Sequence, residues 1–414
     1  MTRNARIGLL LAIALLTATD IPAQEIDLLI KNGHVIDPKN KINGTMDIAI
    51  KDGRILSVER VIPESNAKKV VDAKGFYVSP GFIDIHTHVF VGSNTGFANG
   101  VNSISPDDFT CRSGVTTVVD AGTSGWRNFR TFKEQVIDKS KTRILAFVSI
   151  GGLGLSGKAA QEDLNDMNAD SVANVLRQFP DVIVGVKIGH YEGAEWTPFE
   201  RALDAAEKSD VPLFVECHLP QYSLEEQLSR MRPGDIITHS YEKVSERMSV
   251  IDENGKVRPF VKDAMKRGVL FDLGHGGAGF WFSEAMPALR QGLAPNSFGT
   301  DLHRFSVNAG MKDMLNVMSK YMAMGMTLDH VVLRATWSAA KSIKREDLGH
   351  LTPGAAADIA VWNLRKGKFG FVDAGGNRIA GDRKLESELT LREGIVVWDL
   401  NGLTAKEFDP RDSK

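Results

Sequence analysis

The stretch Tyr77-Val78-Ser79-Pro80-Gly81-Phe82-Ile83-Asp84-Ile85-His86-Thr87-His88 is an apolar run that ends in two histidines two residues apart. Its length and apolar character predict a buried β-strand. Because side chains at positions i and i+2 of a strand point to the same face, the two imidazoles would converge on one point, as metal ligands do. The same spacing also occurs on exposed strands, so the pair needs partners elsewhere in the chain to define a site.

Through the middle of the chain, strand-like apolar segments alternate with loops and amphipathic helical segments. The eight predicted strands are residues 82–88, 115–121, 143–150, 182–188, 212–218, 235–241, 269–274 and 297–302. This alternation is typical of α/β proteins with a parallel sheet and predicts a (β/α)8, TIM-like barrel; a doubly wound open sheet is the alternative. In such barrels, catalytic side chains lie at the carboxyl ends of the strands.

The two ends of the chain have a different texture, with short β-type segments separated by turn residues such as Asn-Gly and Asp-Gly. Segments of this kind are typical of β-hairpins. Neither end is long enough to bury a sheet alone. We therefore predict that residues 24–79 and 350–414 combine into one small β-sandwich domain, and that the barrel occupies residues 80–349.

Residues 1–23 have the pattern of a secretory signal peptide. Arg3 and Arg6 precede an apolar run over residues 7–16, which a short polar segment follows up to Ala23. The apolar part is too short to span a bilayer. We expect an exported protein, periplasmic or secreted, with no membrane anchor after cleavage; a buried first helix is the alternative.

The overall composition is ordinary for a globular protein: 414 residues, 43% hydrophobic and 25% charged, with a formal net charge of -2. The 50 basic and 52 acidic residues are well mixed, so no basic patch indicates a nucleic-acid partner. The two cysteines, Cys111 and Cys217, are too few for a disulfide framework, and the sequence leaves open whether they pair.

Five of the eight predicted strands end in a metal-binding or ionisable side chain. These side chains are His86, His88, Lys187, Glu216, His218, His239 and Asp301. Individually, His239 could be a hydrogen-bonded core residue, Asp301 a helix cap and Lys187 a surface side chain. Placed together at one end of a barrel, they predict a joint site.

This ordered set resembles the amidohydrolase superfamily, in its dihydroorotase and deacetylase branch. The resemblance is carried by residues 80–88, 185–187, 234–239, 272–276 and 300–303, and it covers essentially the whole chain after the leader.

The resemblance implies two divalent ions, one held by His86, His88 and Asp301 and the other by His239 and a ligand from strand five. Lys187 would bridge them as a carbamate formed with carbon dioxide, because an unmodified ammonium would repel both ions. Zinc is the expected metal, with manganese or iron as alternatives.

Strand five departs from the family pattern. Relatives would have a histidine at about position 216, where this chain has Glu216, and the histidine here is His218. The two share one face of the strand, so either can reach the site. Histidine is the better zinc ligand and the spacing favours Glu216, so both remain candidates.

Two ions bridged by hydroxide would supply a nucleophile at neutral pH, which predicts hydrolysis of an amide or an acyl ester. Asp301 is the expected general base and acid. His275, after strand seven, is expected to polarise the carbonyl or hydrogen-bond the substrate. Tyr241, Arg304 and the loop 90–106 are further substrate-side candidates without an assigned role.

We therefore expect a deacetylase-like hydrolase that acts on a small acylated or cyclic amide or an ester. One alternative is a ring-opening hydrolase similar to dihydroorotase or hydantoinase. The other is an inactive barrel that serves as a binding subunit, for which the irregular strand five is the only support. Assembly into a homo-oligomer is left open.

Overall fold

The computed structural model describes residues 25–243, 248–409 and 411. The predicted signal peptide, residues 1–23, lies outside the described residues. Within the described ranges, no helix is both long enough and apolar enough to cross a membrane. Cys111 and Cys217 are both buried, and the structure does not join them by a disulfide.

The described part of the chain contains two sheets surrounded by helices. The strands are β1 (Leu28–Asp37), β2 (Ile42–Lys51), β3 (Arg54–Glu59), β4 (Val70–Asp72), β5 (Tyr77–Pro80), β6 (Phe82–Thr87), β7 (Val91–Asn94), β8 (Val115–Gly125), β9 (Arg143–Ser149), β10 (Ile183–Gly189), β11 (Leu213–Glu216), β12 (Ile236–Ile237), β13 (Leu270–Phe271), β14 (Ile359–Val372), β15 (Arg378–Arg392) and β16 (Ile395–Asp399). The α-helices are α1 (Phe129–Gln135), α2 (Lys158–Gln161), α3 (Ala169–Gln178), α4 (Thr197–Lys208), α5 (Leu224–Arg230), α6 (Pro259–Arg267), α7 (Phe282–Arg290), α8 (Met314–Ala323), α9 (Leu328–Ala335) and α10 (Trp337–Ser342). Short 3-10 turns cover Glu64–Asn66, Pro106–Asp108, Cys111–Ser113 and Ile137–Lys139.

A parallel sheet of seven strands forms the barrel wall, in the order β13-β12-β11-β10-β9-β8-β6. The predicted eighth strand, residues 297–302, is present only as two parallel bridges, Asp272 with Ser297 and Thr87 with Leu302. These bridges connect it to the last and the first strand of the sheet. The parallel barrel is therefore confirmed, with an eighth segment that is hydrogen-bonded through its backbone to both neighbours but forms no regular strand.

The barrel interior is filled by one cluster of apolar side chains. Alternate residues of the barrel strands, such as Ile83 and Ile85 on β6 and Leu145 and Phe147 on β9, pack in this cluster with residues of α10. The intervening residues of the same strands belong to a second, larger cluster with the surrounding helices. The period of two thus separates an inner and an outer core, as parallel strands buried on both faces require.

Both ends of the described chain enter the second sheet, which runs β16-β15-β14-β5-β1-β2-β3 with β4 paired to β1. The joining pair is β5 with β14, in the antiparallel register Pro80 to Ile359. Pairing of the two ends was predicted. They form one continuous eight-stranded sheet, however, so the β-sandwich arrangement is not confirmed.

Candidate active site

One buried cluster contains side chains from the ends of strands that are far apart in sequence. His86 lies in β6 and His88 directly after it, and Asp301 comes from the eighth segment. Asp301 Oδ1 is 3.6 Å from His86 Nε2 and 3.2 Å from His88 Nε2. The structure therefore brings together the three residues predicted to hold the first ion.

Hydrogen bonds at Nδ1 fix the orientation of the imidazoles. Thr238 Oγ1 donates to Asp272 Oδ2 at 2.8 Å and lies 2.9 Å from His86 Nδ1, so the hydroxyl accepts from the imidazole. His239 Nδ1 donates to Gly274 O at 2.6 Å, and His88 Nδ1 is 2.9 Å from Thr123 Oγ1. In each ring the Nε2 atom is left for the cluster, an arrangement typical of metal-binding histidines.

Backbone hydrogen bonds to both neighbouring strands hold the eighth segment, and buried carboxylates add to them. Asp272 Oδ1 accepts from Gly299 N at 2.8 Å and from Ser297 Oγ at 2.6 Å. Asp84 Oδ1 accepts from Thr300 N at 2.9 Å. Asp301 itself has a left-handed backbone with φ of 51°. Backbone and side-chain hydrogen bonds at the barrel seam thus together position the Asp301 carboxylate.

Glu216, at the end of β11, is the centre of the second half of the cluster. Its Oε2 accepts from Lys187 Nζ and lies 3.5 Å from His86 Nε2. Its Oε1 lies 3.0 Å from His239 Nε2 and 3.2 Å from His218 Nε2. The structure therefore brings both strand-five candidates to the site, with Glu216 inside and His218 nearer the solvent.

Burial by itself would raise the pKa of Glu216, but the Lys187 ammonium and the nearby imidazoles hold it well below its usual range. The same balance applies to Asp301, whose pKa is held well below its usual range by His303 and His86. Burial opposes the protonation of His86, yet Asp301, Asp272 and Glu216 raise its pKa to about 9. The carboxylates thus favour positive charge at the centre of the cluster.

A cavity of about 340 Å³ opens above these side chains. The lining residues are His88, Phe97, Leu155, His190, Glu216, His218, His239, Glu242, Gly277, Ala278, Gly279, Asp301 and His303. Phe97 belongs to the loop 90–106, which the sequence suggested as a substrate-side element. The volume is suited to a small molecule.

The structure does not bring His275 to the lining of this cavity. Its ring is fully buried, with Nδ1 3.0 Å from Gly276 O and Nε2 2.7 Å from Lys320 Nζ. Burial, together with the nearby Lys320 ammonium, lowers the pKa of His275 to about 3. Tyr241 is also buried and donates to Leu293 O, and the side chain of Arg304 is exposed outside the lining.

Sequence reasoning missed two histidines of the cavity. His190 follows β10 with φ of 64°, and its Nε2 lies 3.2 Å from Glu216 Oε1. His303 lies two residues after Asp301, with its Nδ1 2.7 Å from Asp301 O. Both follow the end of a predicted strand. His190 lies three residues after Lys187 and His303 two residues after Asp301, and this proximity to candidate ligands was the signal in the sequence that could have identified them.

The donor set fits divalent metal ions. Among the described residues, neither His86 Nε2 nor Asp301 Oδ1 has a hydrogen-bond partner, although both atoms are buried. Three groups of ligand atoms lie within coordinating reach: His86, His88 and Asp301; His86, Glu216 and His239; and His190, Glu216 and His218. Mixed imidazole and carboxylate donors suit zinc and its transition-metal neighbours.

Comparisons with known proteins identify related sequences and structures. Residues 282–390 match the amidohydrolase family. Proteins named deacetylase from Brucella anthropi and from Agrobacterium fabrum are each 31% identical to this chain, over 380 and 384 residues. The first alignment covers 90% of this chain and 91% of the relative, and the second covers 91% of each.

Among solved structures, an adenine deaminase aligns with a TM-score of 0.83 and 28% identity, over 91% of this chain and 100% of its own. A dihydroorotase aligns with a TM-score of 0.80 and 28% identity, over 90% and 99%. The chain belongs to the amidohydrolase family and is a hydrolase that acts on carbon–nitrogen bonds.

Proposed function

We propose that this protein is a dinuclear metal-dependent hydrolase that cleaves an N-acyl or cyclic amide, or an acyl ester, in a deacetylase-like reaction. The observation that supports this is the pair of buried ligand groups around His86. One group adds His88 and Asp301, and the other adds Glu216 and His239. The deacetylase names of relatives that match nearly the whole chain favour an acyl substrate.

Zinc is the proposed metal, with manganese or iron as alternatives. When bound, the two ions would supply a nucleophile from water at neutral pH and polarise the carbonyl of the substrate. We propose Glu216 as the strand-five ligand, because it is only 4% exposed and lies between His86 and His239. The His218 side chain is 25% exposed and is placed farther out.

Lys187 is the proposed site of carbamate formation. The residue is 1% exposed, and its amine donates to Glu216 Oε2, which lies 3.5 Å from Nε2 of His86, the residue shared by the two ligand groups. Addition of the neutral amine nitrogen to the carbon of carbon dioxide forms one N–C bond and releases one amine proton. The product carries two oxygen donors in place of a cationic ammonium, which suits a position between two cations.

Asp301 is the proposed proton acceptor and donor. Its Oδ1 points into the cluster, and its low pKa keeps the carboxylate ionised. The carboxylate would take a proton from the attacking water and return it to the leaving nitrogen or oxygen. Positioned acid–base groups of this kind contribute about 10²- to 10⁴-fold to a rate.

The test uses protein reconstituted with zinc, manganese or iron in the presence of bicarbonate. Hydrolysis would be measured on N-acetyl amino acids, O-acyl esters and cyclic amides. Asp301→Asn should lower kcat by about 10²- to 10⁴-fold, whereas Asp263→Asn, at an exposed carboxylate on α6, should leave it unchanged. Hydrolysis by Asp301→Asn at the wild-type rate would refute the role of Asp301.

Ring opening of a cyclic amide is the second candidate, favoured by the likeness to the solved dihydroorotase. Turnover of dihydroorotate and hydantoins, compared with N-acetyl amino acids under the same metal loading, separates the two. Faster turnover of the cyclic substrates would replace the deacetylase-like assignment. The absence of hydrolysis with every substrate and metal would favour an inactive binding subunit.

Export of the protein is also part of the proposal, supported by the basic and apolar pattern of residues 1–23. Amino-terminal sequencing of the protein from fractionated cells should find a chain that begins at Gln24 outside the cytoplasm. A chain that retains Met1 and stays in the cytoplasmic fraction would contradict this.

A further inference from the structure

We propose that His190, His218 and Glu216 form a third cation position, at the mouth of the cavity and outside the dinuclear centre. This inference rests on the proposed function for the assignment of the two inner ions. Those ions would use His86, His88, Asp301, His239, Lys187 and one oxygen of Glu216. His190 and His218 are then left without a role, although both lie against the other oxygen of Glu216.

The two oxygens of Glu216 face different sets of side chains. Oε2 faces inward, toward Lys187 and His86. Oε1 lies 3.0 Å from His239 Nε2 and 3.2 Å from the Nε2 atoms of both His190 and His218. The carboxylate can therefore bridge an inner and an outer cation.

The spacing of the outer atoms matches a metal site. Zinc–ligand bonds of about 2.0–2.1 Å at tetrahedral angles place neighbouring ligand atoms about 3.3 Å apart. The N–O separations of 3.2 Å at Glu216 Oε1 are close to that value, and the three ligand atoms all lie within 4.8 Å of one another. The rings of His190 and His218 are neighbours, with centroids 5.7 Å apart and planes tilted by 48°.

The surrounding residues hold this arrangement. His218 Nδ1 is 2.9 Å from Glu242 Oε2, the carboxylate contact that typically orients a metal-binding imidazole. His190 reaches Glu216 because its backbone is left-handed immediately after β10. Two histidines beside a carboxylate, with a side open to the cavity, favour zinc or a similar transition ion and leave room for solvent or a substrate group.

The position follows from the irregular strand five. A histidine at position 216 would provide one nitrogen ligand for the inner centre. It would offer no second ligand atom on the same side that could bridge to an outer cation. Glu216 provides two oxygens, and His218 two residues later lies on the same face of the chain. The departure from the family pattern thus supplies two of the three outer ligands.

Equilibrium dialysis against buffered free zinc, with bicarbonate present, tests the proposal by metal analysis. The wild-type protein should bind about three equivalents, and the His190→Asn/His218→Asn variant about two. The His34→Asn/His330→Asn variant, which removes two histidines outside the cavity, should keep the wild-type content. Circular dichroism would check the folding of each variant, and His190→Asn alone replaces the double variant if that one fails to fold.

Equal zinc content in wild type and the His190→Asn/His218→Asn variant would overturn the third position. A wild-type content of two equivalents that falls in the variant would also overturn it, because the two histidines would then serve the inner centre. His86→Asn separates this inference from the proposed function. If the wild type binds only one equivalent, and His86→Asn keeps that equivalent while the His190→Asn/His218→Asn variant loses it, the outer position stands and the dinuclear centre fails.

Discussion

In the metal-free protein, replacement of Glu216 by glutamine should destabilise the fold more than replacement of its partner Lys187 by methionine. The two side chains form a buried ion pair, but their other surroundings differ. Within the described residues, Lys187 Nζ has a single hydrogen-bond acceptor, Glu216, and otherwise lies 4.8 Å from the ring centroid of Phe214. Glu216 Oε1 keeps imidazole contacts at 3.0–3.2 Å when Lys187 is removed.

The magnitudes follow from these contacts. Glu216→Gln leaves a buried ammonium without a counter-ion, which costs about 3–5 kcal/mol of unfolding free energy. Lys187→Met leaves a carboxylate that still has charge-assisted hydrogen bonds, so a loss of about 1–3 kcal/mol is expected. The Lys187→Met/Glu216→Gln double variant removes both charges and should be less destabilised than the sum of the single variants.

Guanidinium unfolding in the presence of a chelator, followed by tryptophan fluorescence, measures these differences. The midpoint should shift with little change of slope. Lys344→Met, which removes an exposed ion pair with Asp210, provides the control and should change stability by less than about 1 kcal/mol. A Lys187→Met variant as unstable as Glu216→Gln would refute the reasoning.

Two further predictions concern Lys320 and Gly122. Burial, together with the nearby charge of Lys312, lowers the pKa of Lys320 to about 7. Between pH 7 and 10.5 the unfolded chain therefore binds more protons than the folded protein. The free energy of unfolding should rise with pH in that window, relative to that of Lys320→Met. Denaturant unfolding at pH 7 and pH 9 measures this, and a pH-independent difference between the two proteins would contradict it. Gly122→Ala should destabilise by about 2–5 kcal/mol, because φ is 79° and the added Cβ would lie 2.5 Å from Lys187 Cγ. Gly75→Ala, with φ of 89° but open space, should cost only about 1–2 kcal/mol in the same unfolding assay, and equal losses would contradict the steric argument.

Most of the barrel could be predicted because its strands are long apolar runs. The run that ends at His86 and the run that ends at Lys187 both became strands of the parallel sheet. The last three predicted strands were shortened or reduced to bridges. Here buried carboxylates such as Asp272 accept hydrogen bonds from the backbone, and His239 and Asp301 have left-handed φ values that end regular pairing.

The candidate site was predictable only as far as strand direction determines where a side chain points. His190 was missed because a left-handed residue after the strand turns its ring back toward Glu216, which no periodicity shows. His275 was predicted to contact the substrate. Its imidazole instead contacts Lys320, a buried residue of α8, and does not line the cavity. The single sheet formed by both ends of the chain was not predictable either, because it depends on pairing between strands far apart in sequence, such as β5 and β14.

That terminal sheet has a consequence for synthesis on the ribosome. β5 is complete by Pro80, but its partner β14 begins at Ile359. Ribosomes add about 5–20 residues per second, so β5 waits about 15–60 seconds for β14. During that time the β5 edge is open to pairing with another nascent chain. Until β14 has been made, this edge therefore needs protection from pairing with other chains.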